Sequence, residues 1–424
     1  MLNRSPSSLT TEPKVAVLQD GARRHYAVPI AMQRAGILER VYTDWYTRKG
    51  SIESLVTGVM KRVKPARAQR MAERFAPELD ASKVTTKPTL ALSQAFGRRK
   101  FKTDVDFYAW MSDLTARWVL DQGFGEANSL YGFVRNIFPG LCATAKSYGL
   151  KVITDQMIAP CAVEYAEFAK QLARFPAWTS EKSAIGSRVL NDIERSTWDL
   201  SDVVTCMSEY VRDGLISCGV SPNKIVVVPY PVDRNAPPPI DRRDRTGPVT
   251  VGFVGQIGLR KGAPYFFEVA RRLDPQKVRF VMVGPTAVEK SVLDQFRDTV
   301  ELPGPAPRGE IRGWMEKFDI FLFPSTCEGS AGAVTEAMMA GLPIVTSRNS
   351  GSLVRHGQEG FLSAYDDSDH MAGFISALAA DAELRHQMGM AARARVESFD
   401  IDYYGATFKD LFSRLLNPSA SSTT

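Results

Sequence analysis

The sequence has few cysteines and histidines and no long apolar run. Its five cysteines, Cys142, Cys161, Cys206, Cys218 and Cys327, form no C-x-x-C pair and no cluster with the four histidines. A metal-ligand or disulfide-scaffold reading therefore has no support, and a reducing compartment fits. No apolar run approaches the roughly 20 residues that a spanning helix needs. Residues 1–13, rich in Ser and Thr, lack the apolar core of a signal peptide, so a cytoplasmic location is expected, with this segment and the tail 418–424 disordered. Neither sign of charge dominates: 53 Lys and Arg against 47 Asp and Glu leave a net charge of +6. That bias suits phosphate-bearing small molecules or an anionic surface and does not imply nucleic acid.

What is present is a repeated strand-loop-helix order in a chain of 424 residues. Val15 to Leu18 reads as a strand followed by a helix over about Tyr26 to Ala35, and the alternation resumes at Ser129 to Val134, Leu141 to Tyr148 and Lys151 to Asp155. A long helix is expected over Glu181 to Trp198, then strands at Val203 to Thr205 and Ile225 to Val228 around a helix from Ser208 to Cys218. Between Pro229 and Pro248 lie six prolines and the charged run Asp241 to Arg245, the composition of an interdomain linker. A second β/α series then starts at Val249. These features predict an α/β chain with an N-terminal Rossmann-like domain over 14–235, a linker over 236–248, a second such domain over 249–398, and a C-terminal helix over 399–417 crossing back to the first. Two open parallel sheets facing one another would define a central cleft at their strand ends.

The segment Glu328-Gly329-Ser330-Ala331-Gly332-Ala333-Val334-Thr335-Glu336 places a carboxylate just after a strand, then small residues, then a second carboxylate one turn into a helix. Small residues let backbone N–H groups approach a ligand, and a helix N-terminus offers open donors with partial positive charge. This is an anion site. Glu336 is placed to accept hydrogen bonds from a vicinal diol such as a ribose. Earlier, Gly255-Gln256-Ile257-Gly258-Leu259-Arg260-Lys261-Gly262 follows a strand and presents two cations. Fixed cations there would stabilise the charge that develops on a departing phosphate.

The first segment resembles the E-x7-E motif of family 4 glycosyltransferases, and the second resembles that family's G-R-L-x-x-x-K-G, with Gly255, Lys261 and Gly262 matching and Gln256 at the usual arginine position. Glu194 to Ser208 and Ile225 to Asp233 resemble further stretches of the family. The resemblance implies the GT-B fold, two Rossmann-like β/α/β domains facing a central cleft, and a retaining transfer from a UDP- or GDP-sugar to a saccharide or lipid-linked acceptor. It implies no metal and no cofactor. Glu328 would hold a donor-sugar hydroxyl, Glu336 the ribose, Lys261 and Arg260 the diphosphate, and the amides of Gly329, Ser330, Ala331, Gly332, Ala333 and Val334 would cradle it. Gly21 would approach the diphosphate from the first domain, and a loop around Leu302 would meet the base through backbone atoms.

Many relatives carry a histidine after the strand that corresponds to Val152 to Asp155. Here Asp155 and Gln156 occupy that place, where either would hydrogen-bond a sugar hydroxyl or Asp155 would orient the acceptor; an ordinary strand-end turn explains both equally well. His25, after the first strand, is the one histidine placed to matter, with a partly buried, satisfied histidine as the default reading. A nucleotide-sugar-binding scaffold, or an epimerase of the same architecture, remains as an alternative to a transferase. Finally, residues 48–75 carry eight cations (Arg48, Lys49, Lys61, Arg62, Lys64, Arg67, Arg70, Arg74) against two acids, with Leu55, Val59, Met60, Val63 and Met71 between them. A solvated basic face and peripheral contact with an anionic membrane are both consistent with that pattern.

Overall fold

The computed structural model describes residues 12–63, 65–179, 188–232, 236–286 and 288–418. The ends expected to be disordered, apart from Glu12, Pro13 and Pro418, and the start of the helix expected from Glu181, lie outside them. Short apolar runs buried on both faces form the central strands of two parallel sheets, as such sheets require. The first contains β1 (Val15–Leu18), β2 (Leu38–Thr43), β3 (Val84–Thr86), β4 (Ser129–Phe133), β5 (Lys151–Gln156), β6 (Val203–Cys206) and β7 (Ile225–Val227), in the order β3-β2-β1-β4-β5-β6-β7. The second contains β8 (Val249–Val254), β9 (Val278–Val283), β10 (Val300–Gly304), β11 (Ile320–Phe323), β12 (Ile344–Ser347) and β13 (Gly360–Ser363), in the order β10-β9-β8-β11-β12-β13. In each sheet the order reverses beside the first strand, which opens a crevice at the carboxyl ends of β1 and β4 and of β8 and β11.

The two halves exchange anchors. The helix Ile401–Leu416 packs on the N-terminal domain, with Tyr404, Phe408 and Phe412 fully buried beside Tyr131 and Tyr230. In the other direction, the helix Cys161–Arg174 leads to Trp178, which packs against Phe267 and Phe296 of the second core. Tyr265 Oη donates to Gln171 Oε1 at 2.6 Å across the same seam.

The charged run read as linker is docked. Arg242 is buried and donates to the carbonyls of Ala340 and Met315, while Arg245 pairs with Asp319 at 2.9 Å and donates to Glu316 O. Helix ends have carbonyls with no partner of their own. Composition showed the charge but not these open carbonyls on the C-terminal domain, which capture it.

Candidate functional site

The loops after β8 and β11 lean on one another. Ser325 Oγ and the Thr326 amide both donate to Arg260 O, at 2.9 and 3.0 Å. Gly262 adopts φ 72°, and a Cβ there would lie 1.8 Å from Pro324 O, so only glycine permits the approach. This contact brings Lys261 Nζ to 2.5 Å from Glu328 Oε1, and Arg260 to 3.5 Å from Oε2. Glu328 is only 7% exposed, and its amide donates to Asn349 O. Burial lowers the Lys261 pKa from its ordinary value, and Glu328 pulls it back up. The ammonium therefore has a fixed partner and little water around it, the condition under which a cation acts strongly on a developing charge.

The helix Gly332–Met339 begins immediately beyond, and no side chain caps it. Of the amides expected to face an anion, those of Ala331 and Val334 are already used, donating to Ser350 O and Ala331 O. Gly332 and Ala333 supply the open donors at this end. Glu336 lies on the cleft side with its carboxyl accessible but closely packed; burial raises its pKa, while Arg308 and Arg24 oppose that rise.

The opposite wall comes from the loop after β1. Gly21 takes φ 68°, and its amide donates to Asp44 Oδ1, itself held by Arg74. Arg24, His25 and Tyr26 then adopt φ of 46, 50 and 61°, an uncommon run for residues with a Cβ, which marks this loop as held under strain. Arg24 spans the cleft: it donates to Ser330 O at 3.3 Å and lies 4.5 Å over the Tyr230 ring. His25 Nε2 contacts the Arg308 guanidinium, and burial followed by Arg308 lowers its pKa. Arg24, His25, Arg74, Tyr230 and Arg308 line a cavity of about 640 Å³, within the size range of small-molecule sites.

At one place the two domains touch without side chains between them. A Cβ on Gly329 would sit 1.8 Å from Met157 O, and Gly329 O accepts from Ser208 Oγ at 2.6 Å. The E-x7-E loop is thus keyed to the N-terminal domain at its most constricted residue.

Other expected positions lie elsewhere. Asp155 is buried beneath Tyr131, Tyr230 and Tyr404: its Oδ2 accepts from Tyr131 Oη at 2.6 Å, and among the described residues Oδ1 has no hydrogen-bond partner. Burial pushes its pKa up to about 7. Asp155 thus lies in the interior and is not a surface of the cleft. Gln156 is likewise internal, accepting from Trp198 Nε1 and donating to Glu194, which is paired with Arg135. Gly255 donates to Val283 O, and Gln256 is exposed on the same loop. The segment around Leu302 is the edge strand β10 and not a loop; Leu302 sits at a break in its register with β9, half-buried against the C-terminal core. Arg24 and Arg308 were not anticipated. The pair Arg23-Arg24 behind Gly21 was a visible signal for the first, whereas nothing local distinguishes Arg308.

Residues 248–381 match the family described as glycosyl transferases group 1, and solved two-domain structures superpose along almost the whole chain. The fold is that of a GT-B glycosyltransferase. Sucrose-phosphate synthase from Thermosynechococcus elongatus matches with a TM-score of 0.65 at 13% identity, covering 96% of this chain and 100% of that one. Anabaena HepE, solved in complex with UDP and glucose, matches with a TM-score of 0.58 at 16% identity, covering 95% and 99%. Among curated sequences, the amylovoran biosynthesis glycosyltransferase AmsK of Erwinia amylovora is 30% identical over 166 residues, 36% of this chain and 41% of that protein. The chain spans about half the length of the first curated relatives it matches. Among the described residues, no group of three or more His, Cys, Asp and Glu is arranged to hold a metal ion, and no helix is long and apolar enough to cross a membrane. In the GT-B cleft, Arg24 of the strained loop reaches Ser330 O and the start of the helix Gly332–Met339, two residues on from Glu328 and its partners Lys261 and Arg260.

Proposed function

We propose that the chain is a retaining, metal-independent glycosyltransferase that moves a sugar from a nucleotide diphosphate sugar to an acceptor hydroxyl in polysaccharide or glycolipid synthesis. The observation that carries this reading is the Lys261–Glu328–Arg260 cluster beside an uncapped helix N-terminus. In it, two fixed cations and the amides of Gly332 and Ala333 meet the donor diphosphate, taking up charge as the glycosidic bond breaks. Glu336 accepts from the ribose hydroxyls. Glu328 orients Lys261 and holds a hydroxyl of the donor sugar.

Retention requires the acceptor to arrive on the face that the diphosphate leaves. A departing phosphate oxygen is then the group placed to take the acceptor proton, with Arg24 reaching over Ser330 from the N-terminal wall. Asp155 becomes a positioning residue acting through the Tyr230 and Arg24 wall. UDP is the first nucleotide to test, since HepE was solved with UDP and glucose, and GDP is the second. Incubation with radiolabelled UDP- and GDP-sugars should give slow donor hydrolysis that Lys261→Met abolishes while nucleotide binding persists. Binding without any turnover would assign the chain to a non-catalytic nucleotide-sugar scaffold.

A further inference from the structure

The helix Ile52–Val63 is mounted with its polarity reversed. Its inward residues are Glu53 and Thr57, 5% and 3% exposed, with Glu53 accepting from Thr86 Oγ1 at 2.6 Å. Its outward residues are Ile52, Leu55, Val56, Val59 and Val63, four of them at least 68% exposed. Their spacing of three, four and seven places them along one stripe of the helix. Thr86 also leads into the helix Pro88–Gly97, which exposes Leu92 and Phe96. Single exposed apolar residues are ordinary, whereas five along one stripe of a single helix mark a surface that something covers.

The charge around the stripe identifies the partner. Arg48, Lys49, Lys61 and Arg62 are exposed at the two ends of the helix, and among the described residues none of them is ion-paired. A second copy of the chain would bring the same cations against these. A bilayer containing anionic lipid offers an apolar interior for the stripe and negative headgroups for its ends. The helix Pro65–Ala72 packs against this element and continues into Glu73 and Arg74 on the cavity wall, so one helix separates the element that carries the apolar face from the cavity.

We propose that the outward face of Ile52–Val63, with Leu92 and Phe96, docks on an anionic membrane surface and sets the cleft beside it. The proposal does not depend on the chemistry assigned to the cleft. It is tested by flotation of the full chain with vesicles of phosphatidylcholine, with and without phosphatidylglycerol. Binding is expected to the anionic vesicles alone and to weaken as salt is raised. The double variant Leu55→Ser, Val59→Ser should bind roughly tenfold or more weakly, with unchanged melting temperature and donor hydrolysis, because both side chains are already in water. No binding to anionic vesicles at low salt, or equal binding by the double variant, would overturn the proposal. So would concentration-dependent dimerisation that the same variant abolishes, since that would give the face to a second copy.

Discussion

The two domains meet at Gly329 beside the Met157 carbonyl, and replacing Gly329 by Ala tests what this contact does. The added Cβ would lie 1.8 Å from Met157 O, against the 3.0 Å below which real Cβ contacts essentially do not occur. The loop or the N-terminal wall has to retreat by at least about 1.2 Å. Glu328 is the adjacent residue, and a misplacement of about 1 Å in reacting groups costs on the order of 100-fold in rate, or about 2.7 kcal/mol of barrier. In the proposed function the nucleotide is held by the C-terminal domain, so affinity for a nucleoside diphosphate should change by less than about threefold. Donor hydrolysis, calorimetric titration with UDP and GDP, and small-angle scattering for domain separation would be measured on one preparation. A Gly329→Ala protein that keeps full turnover would refute the view that contact at Met157 sets the catalytic geometry.

Other outcomes follow from the same structure. Glu336→Ala should weaken nucleoside diphosphate binding by roughly 10- to 100-fold, the loss of about 1.5–3 kcal/mol in hydrogen bonds to a charged acceptor, with a smaller effect on a deoxyribose analogue. Arg242→Ala strands the carbonyls of Ala340 and Met315 and should lower stability in urea by about 2–4 kcal/mol. Asp155 binds its proton more tightly when folded, up to about 7, than in an unfolded chain near 4, so its ionisation opposes folding. Stability is unaffected below the unfolded value and falls as pH rises towards 7. Denaturation curves should therefore show Asp155→Asn gaining up to about 4 kcal/mol on the parent protein between acid and neutral pH; a constant difference would contradict that burial.

Most strands were legible because residues buried on both faces of a parallel sheet must form short apolar runs, and those runs are visible in sequence. The cluster of Lys261, Arg260 and Glu328 was legible for a related reason: each follows a strand of one sheet by a few residues, and strand ends converge. What escaped reading depends on contacts between distant segments. Asp155 and a surface residue look alike at a strand end, and the packing of Tyr404 from the last helix beside Tyr131 and Tyr230 closes the space above it. Leu302 belongs to a strand too irregular in register to show alternation. The inverted helix Ile52–Val63 has the right periodicity, but sequence cannot tell which side faces the protein.

In the proposed reaction Lys261 acts on a leaving diphosphate. The sharpest test of this role is the single-turnover rate of donor hydrolysis by wild type and Lys261→Met at saturating nucleotide sugar. A loss of about 100-fold or more, with nucleotide affinity reduced far less, is the predicted result; equal rates in the two proteins would contradict it.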